Sequence, residues 1–391
     1  MVLSGDQEAS GVFDILGSSR DSRDFWDACG DRQAASIATQ GLSLQFSSPP
    51  VLSSAPSCTA SSDPIKRAAI RELISDMEDV GVVSSVSLSS VGFWSHIFVV
   101  PKKQGKWRLV LDLSRLNRLV VRETFQMISL LDVFSSIRPS DWMATLDIES
   151  AYWHVPVQPQ FRKFFQFRFR ERGFQFRVMP FGLTTAPWLF NRIMTPIVTG
   201  LGRSGIRVMA YLDDFLVLAS RAQISDHLSR VESTLVRAGF SISGKSQRTP
   251  SRSLQFLGVV ISVDSMSTSI PLSAQESMVS RSRDLLDSPS VSRRDLESLV
   301  GSLGFYSIYI FFLRPLFWEL TARMNQESLS DERDLQISLS VPLRRCLGRI
   351  AASDLSFPRL FSRPSTLFKI MTDASDVGWG ATWDGHSIQG R

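Results

Sequence analysis

Two adjacent carboxylates, Asp213 and Asp214, stand inside the otherwise apolar run Val208-Met209-Ala210-Tyr211-Leu212-Asp213-Asp214-Phe215-Leu216-Val217-Leu218-Ala219. Short apolar runs of this kind read as buried strands, and a two-residue turn between them makes a hairpin. At the hairpin tip both carboxylates can face one site despite the alternation of a strand. Two close carboxylates repel, and burial raises the cost of keeping both ionised. A bound divalent cation removes that conflict. With no thiolate or imidazole nearby, the donor chemistry suits Mg²⁺ or Mn²⁺. The plain alternative is a polar Asp-Asp turn in an ordinary hairpin.

A second acidic position, Asp147, follows Ala144-Thr145-Leu146 and precedes Ile148-Glu149. A strand ending here carries the carboxylate at its C-terminal end; the alternative is a helix N-cap. Between residues 164 and 178, Phe165, Phe167 and Phe169 alternate with Gln166, Arg168 and Arg170. After an expected turn at Glu171-Arg172-Gly173, Phe174, Phe176 and Val178 alternate with Gln175 and Arg177. Period two puts aromatics on one face and cations on the other. A solvated basic face and a phosphate-contacting face fit that pattern equally.

Residues 1–62 are rich in Ser, Ala, Gly and acidic residues without a sustained apolar period, which predicts a disordered arm. Asp63-Pro64 opens a helix with Ile65, Ala69, Ile70, Leu73 and Met77 on one side, ended by Gly81. Strands are expected at 96–100 and 107–113, joined by a turn carrying Lys102, Lys103 and Lys106. Helices follow at 186–198 and 223–238, a strand at 254–262, and a helical, aromatic stretch at 292–324. A strand-rich unit begins near Leu367.

The net charge of +5 and pI near 9.3 suit a polyanionic partner without requiring one. Cys29, Cys58 and Cys346 are too scattered for a disulfide scaffold or zinc site. No run is long and apolar enough to cross a bilayer, and no secretory signal is visible. An intracellular protein of cytoplasm or nucleus, with no membrane partner, is expected.

Taken in order, these segments resemble the blocks of a retroelement reverse transcriptase over roughly residues 64–325. Trp107-Arg108-Leu109-Val110-Leu111-Asp112 resembles the fingers block, and Leu146-Asp147 to Val157 the first catalytic block. Met179-Pro180-Phe181-Gly182-Leu183 resembles the block that shapes the nucleotide pocket. Tyr211-Leu212-Asp213-Asp214 matches the Tyr-x-Asp-Asp signature. Gly239 through Lys245, then Phe256-Leu257-Gly258, resemble the lysine block and the primer-grip neighbourhood. The Pro-Phe-Gly-Leu and Phe-Leu-Gly forms look more like long-terminal-repeat and DIRS-type retrotransposons than retroviruses.

The resemblance implies an α+β right-hand polymerase with an antiparallel, ferredoxin-like palm sheet. Fingers and palm would occupy 63–262, a thumb- or connection-like helical region 263–350, and the first strands of a ribonuclease H-like domain 365–391. It further implies RNA-directed DNA synthesis from dNTPs on a primed RNA or DNA template. Two Mg²⁺ or Mn²⁺ ions would be held by Asp147, Asp213 and the Ile148 carbonyl, with Asp214 in support. Arg108 and Lys102 or Lys103 would bind the triphosphate, with Phe181 and Gly182 in the nucleotide pocket. Tyr152, five residues after Asp147, would be the steric gate against ribonucleotides. Lys245 would be the acid for pyrophosphate. Phe256, Leu257 and Gly258, with Arg168 and Arg170, would contact primer and template.

Met371-Thr372-Asp373-Ala374-Ser375 resembles the first strand of a ribonuclease H, with Asp373 its first metal ligand. One acidic residue cannot hold two metals, so this chain alone is expected to lack hybrid-degrading activity and reads as part of a longer polyprotein. Rival readings are a decayed or domesticated copy that only binds nucleic acid, and an RNA-templated RNA polymerase or telomerase-like enzyme.

Overall fold

The computed structural model describes residues 15–56, 63–101, 107–288, 290–327, 336–356, 358–361, 371–375, 378–383 and 386–390. It divides into two compact units, Met1–Leu257 and Gly258–Arg391.

The first unit opens with α1 (Arg20–Ala28) and α2 (Arg32–Gln40). The Ser19 side chain accepts the Ser22 N–H, and Asp31 accepts those of Gln33 and Ala34, so both helices start on proper caps. This corrects the expectation of a disordered arm: within 1–62, residues 15–56 fold. Leu16, Trp26, Ala34, Ile37, Ala38, Leu42 and Leu44 enter the main core. Their helices are too short to display a period, and their anchors are remote. Ser22 Oγ and Trp26 Nε1 donate to the Ala238 carbonyl, at 2.7 and 2.9 Å.

Next comes α3 (Pro64–Asp79), capped by Asp63 as expected, with Ala69, Ile70, Leu73, Ile74 and Met77 buried. Ile65, expected on the buried side, is 69% exposed because it stands in the first turn, before the helix reaches the core. Then come β1 (Val83–Val86), β2 (Trp94–Ser95), β3 (Ile97–Pro101) and β4 (Trp107–Leu111). Antiparallel pairing sets Val100 opposite Arg108 in β3–β4. Two short helices, α4 (Ser114–Asn117) and α5 (Leu130–Ser136), lead to β5 (Asp141–Asp147).

The aromatic hairpin is β6 (Gln166–Phe169) and β7 (Arg172–Phe176). Its turn is Arg170-Glu171, with Arg170 at φ 54°, rather than the expected Glu171-Arg172-Gly173. Gly173 serves another purpose. It lies in β7 opposite Val86, where an added Cβ would come within 2.6 Å of the Val86 carbonyl oxygen. Phe167 and Phe174 stack with centroids 5.3 Å apart inside the core.

The central sheet is antiparallel in the order β5, β9 (Asp214–Ser220), β8 (Arg207–Tyr211). Before it comes α6 (Ala186–Arg203), which packs on β8. This helix runs past the expected end at 198 and carries Pro196 inside, held by buried Ile197 and Leu201. Behind the sheet, α7 (Ile224–Ala238) packs on β9 and β5 through Ile224, Leu228, Val231 and Leu235. Gly239, at φ 101°, caps it in the left-handed region that favours glycine. At the far end of the sheet, Arg207 forms a bidentate ion pair with Asp141, whose side chain is 1% exposed. The unit closes with β10 (Ser253–Phe256).

The strand expected over 254–262 is broken, because Leu257 and Gly258 take φ 46° and 82°. In the second unit, β11 (Val259–Ser262) and β12 (Ser267–Ser269) form an antiparallel hairpin. Four helices follow, α8 (Leu272–Asp287), α9 (Arg293–Ser307), α10 (Arg314–Glu327) and α11 (Val341–Ala352). Short pairing of β13 (Ser290–Ser292) with β14 (Gln336–Ser338) ties their connections. After β15 (Arg359–Leu360), which pairs with β12, a three-stranded antiparallel meander runs through β16 (Met371–Ser375), β17 (Gly378–Trp383) and β18 (His386–Gly390). No described helix is long and apolar enough to cross a membrane.

Candidate active site

The three acidic residues singled out from the sequence meet at one end of the central sheet. Asp147 is the last residue of β5 and pairs with Asp214, the first residue of β9. Asp214 also pairs with Tyr211 across the β8–β9 turn, which leaves Leu212 and Asp213 as its two central residues. Leu212 adopts φ 54°, a conformation usually left to glycine in two-residue hairpins. The turn is tied down by the Ile148 N–H, which donates to the Asp213 carbonyl at 3.0 Å.

Burial, then the charges of Asp213 and Asp147, together push the Asp214 carboxyl up to about 6. Burial and the Asp147 charge also raise Asp213. No Lys or Arg relieves either group among the described residues. The site is therefore short of positive charge, and carboxylate oxygens are the donors a hard divalent cation prefers. Among the described residues, no group of three or more His, Cys, Asp or Glu side chains stands close enough to hold a metal ion by itself. The acidic residues instead share the paired ends of adjacent strands, an open arrangement that leaves room for ligands from outside the protein.

The sign of the pH dependence follows. A carboxyl whose folded pKa lies above its unfolded value adds stability that is full below the unfolded value and is lost as pH rises through the folded one. For Asp214 that window runs from 3.8 to about 6. In metal-free buffer, Asp214→Asn should be more stable than wild type at pH 7, and the gap should close as the pH falls to 4. Paired thermal melts in EDTA at both pH values check this; a gap that does not change with pH would refute it.

Around the acidic cluster sit aromatic rings. Tyr152 lies on a 3₁₀ turn (Ala151–His154), and its hydroxyl is pushed up to about 12 by burial, then by the charges of Asp213 and Tyr211. Its ring lies 5.2 Å from Phe181 and 5.7 Å from Phe190, centroid to centroid. Phe181 remains 41% exposed, and Gly182 follows at φ 89°. Arg108 and Phe181 line one small cavity of about 30 Å³ with Trp153 and Pro180. Thus Asp147, Asp213, Asp214 and Tyr152 converge, and Phe181 links them to Arg108. Lys102 and Lys103 lie outside the described residues.

Lys245 sits on an exposed segment that runs along Asp147. The Ser243 N–H donates to the Asp147 carbonyl at 2.7 Å, and Ser246 Oγ accepts the Asp147 N–H at 3.0 Å. Arg168 does not present a free guanidinium. It donates to the carbonyls of Arg170 and Pro56 and to the Glu171 carboxylate, closing the β6–β7 turn. Arg170 lies over Phe169. Arg168 thus helps close its own hairpin turn. Phe256 is buried. In the second unit, Gly258 accepts a hydrogen bond from Tyr306 Oη at 3.2 Å. Asp373 takes its place in β16, opposite Gly380.

Two supporting residues were missed in the sequence. Asn117 clamps the 181–184 loop, donating to the Gly182 carbonyl and accepting the Thr184 N–H, at 2.8 and 2.9 Å. His154 is fully buried, and burial drives its imidazole down to about 4. It is neutral, and its Nε2 accepts the Ser241 N–H at 3.0 Å, fixing the start of the segment that borders Asp147. An Asn after a strand and a His after an acidic block were the only signals. His154→Leu should orphan that amide and cost roughly 1–3 kcal/mol, read by urea denaturation. A loss below that range would mean the amide finds another acceptor.

Residues 100–261 match the family Reverse transcriptase (RNA-dependent DNA polymerase). The chain is 23% identical over 333 residues to the enzymatic polyprotein of Figwort mosaic virus (strain DxS), covering 84% of this chain and 47% of that one. It is 26% identical to the transposon Tf2-3 polyprotein of Schizosaccharomyces pombe, covering 73% of this chain and 20% of that one. It thus spans less than half the length of these relatives. The fold matches a foamy viral protease-reverse transcriptase solved with double-stranded DNA, with TM-score 0.65, 16% identity, and coverage of 98% of this chain and 69% of that one.

Proposed function

We propose that the chain, whose residues 100–261 match the reverse transcriptase family, is an RNA-directed DNA polymerase of a retroelement that extends primers with dNTPs by a two-metal mechanism. The observation that carries this reading is the pairing of Asp147 with Asp214 beside the Asp213 turn, where the Asp147 charge raises Asp213 and the charges of both raise Asp214. Two bound Mg²⁺ or Mn²⁺ ions would supply a more acidic primer 3′-hydroxyl and neutralise charge on the triphosphate and leaving pyrophosphate.

The chain's own residues divide the remaining work. Asp147, Asp213 and the Ile148 carbonyl would hold the ions, with Asp214 in support. Arg108 grips the triphosphate through its guanidinium fork, assisted by Lys102 or Lys103. Lys245, on the segment bonded to Asp147, donates a proton to pyrophosphate. Phe181 and Gly182 shape the floor of the nucleotide pocket. The fold contributes position and charge rather than a covalent intermediate. An RNA or DNA template with its primer is the partner, and a double-stranded DNA ligand in a structure of the same fold supports it.

Tyr152 is the gate. Its ring contacts those of Phe181 and Phe190, which hold it where a ribose 2′-hydroxyl would press against it. Tyr152→Val should relax discrimination against ribonucleotides roughly 10- to 100-fold, the range for a small steric change in a pocket. Competing dNTP and rNTP incorporation measures it, and unchanged selectivity would remove Tyr152 from this role.

The deciding experiment is primer extension by the purified chain on poly(rA)/oligo(dT) with Mg²⁺ or Mn²⁺. Incorporation of dTMP supports the proposal. A folded protein that binds the primed template without extending it is a nucleic-acid-binding copy and overturns it.

A further inference from the structure

In the second unit, two arginines converge on one exposed ring. Phe311 opens a 3₁₀ turn (Phe311–Leu313) after α9, and α10 begins at Arg314. The Arg314 guanidinium carbon lies 4.1 Å from the Phe311 ring centroid. Arg359, from β15, lies 3.7 Å from the same centroid. Each arginine spends one donor inward: Arg314 Nε to the Ser307 carbonyl at 3.1 Å, and Arg359 Nη1 to the Tyr309 carbonyl at 2.9 Å. Those bonds fix both guanidinium groups without neutralising either. Neither arginine has a carboxylate partner among the described residues.

Holding two cations against one ring works against their mutual repulsion. The proximity of Arg314 lowers the Arg359 pKa, after the larger effect of burial. The ring's π-face repays part of this, as a cation–π contact does, but a second cation gains less than the first. An anion bridging the two guanidinium groups would remove the conflict. The flanking segments of chain carry exposed apolar and aromatic residues, Phe305, Ile308, Phe312 and Trp318. Cations interleaved with exposed rings suit a ligand that pairs phosphates with flat bases, more than an acidic peptide, which brings charge without faces to stack.

We propose that Arg314, Phe311 and Arg359 form a clamp for a nucleic-acid phosphate, in which the outward N–H groups of both arginines grip phosphodiester oxygens and the neighbouring rings pack on sugar or base. The clamp deepens the polymerase reading and rests on it. Phe311 acts as a spacer that sets the two forks for one phosphate or two successive ones. The clamp reads no sequence, since phosphate contacts position a nucleic acid without specifying it.

The test is fluorescence anisotropy of a labelled primer–template duplex with the full chain, from 50 to 200 mM KCl. Wild type is compared with Arg314→Gln/Arg359→Gln and with Arg314→Lys/Arg359→Lys, each checked by thermal melting. Losing two phosphate contacts should lower the slope of log K against log salt by roughly 1.8, about 0.9 per contact. The lysine pair should keep most of the slope and bind more weakly, because it retains charge but not the fork. Wild-type binding with the slope unchanged in the glutamine pair would overturn the clamp and leave the polymerase reading standing. Wild type that ignores the duplex but binds poly-glutamate through these arginines would overturn both and assign the surface to an acidic protein. Should the glutamine pair fail to fold, Arg359→Gln alone should lower the slope by roughly half as much, and an unchanged slope again overturns the clamp.

Discussion

Asp213→Asn should abolish primer extension while leaving the melting temperature level or slightly higher. The loss should be roughly 10³-fold or more, since a metal's charge stabilisation is worth several kcal/mol and each 1.4 kcal/mol is tenfold in rate. Stability moves the other way for a physical reason. The Asp213 carbonyl, not its side chain, holds the turn through the Ile148 N–H, and asparagine keeps that bond. The carboxylate itself is half-buried and repelled by Asp147. Neutralising it removes a ligand and a repulsion together. An inactive but equally stable variant distinguishes a metal ligand from a structural residue, because a structural Asp would lose both properties. Substantial extension by Asp213→Asn would sink the metal assignment.

That acidic cluster was legible because each of its parts is local. Two carboxylates in an apolar run announce a turn, and Asp147 announces a strand end. The register Asp147–Asp214 then follows from strands that bury Phe215, Leu216, Val217 and Leu218. The α7 stripe was equally plain, since its period repeats over several turns and ends on Gly239. Local rules also misled. Glycine suggests a turn, but Gly173 lies inside β7 because β1 comes too close for a side chain. Least visible were contacts between residues far apart in sequence. Trp26 and Ala238, His154 and Ser241, and Asn117 and Gly182 are each joined by a single hydrogen bond that leaves no period. The Ser-rich composition of the first segment hid apolar residues that needed α6 and α7 in place before they had anything to pack on. The candidate acidic residues were thus legible from their chemistry, while the groups that hold them in place became visible only with the fold.

The Asp141–Arg207 pair belongs to that hidden class and carries the largest expected effect on stability. Asp141 begins β5 and Arg207 begins β8, with β9 between them. Both terminal nitrogens of Arg207 bind the Asp141 carboxylate, and Nη1 also donates to the Ser136 carbonyl at 3.1 Å. The Arg138 N–H supplies one more donor to the carboxylate at 2.8 Å. Arg207→Met would leave a buried anion with that one backbone donor, at a cost of about 3–5 kcal/mol. Total stability is typically only about 5–15 kcal/mol, so a fall in melting temperature on the order of 10 °C is expected. Arg207→Met/Asp141→Leu should recover most of it, because removing both charges removes the uncompensated one. A single variant that melts with wild type would show that solvent satisfies the carboxylate. The pair stands at the opposite end of β5 from Asp147, so its loss should act through the folded population rather than through chemistry. At low temperature, where Arg207→Met is still folded, it should extend primers at close to the wild-type rate. Asp213→Asn should fail at every temperature.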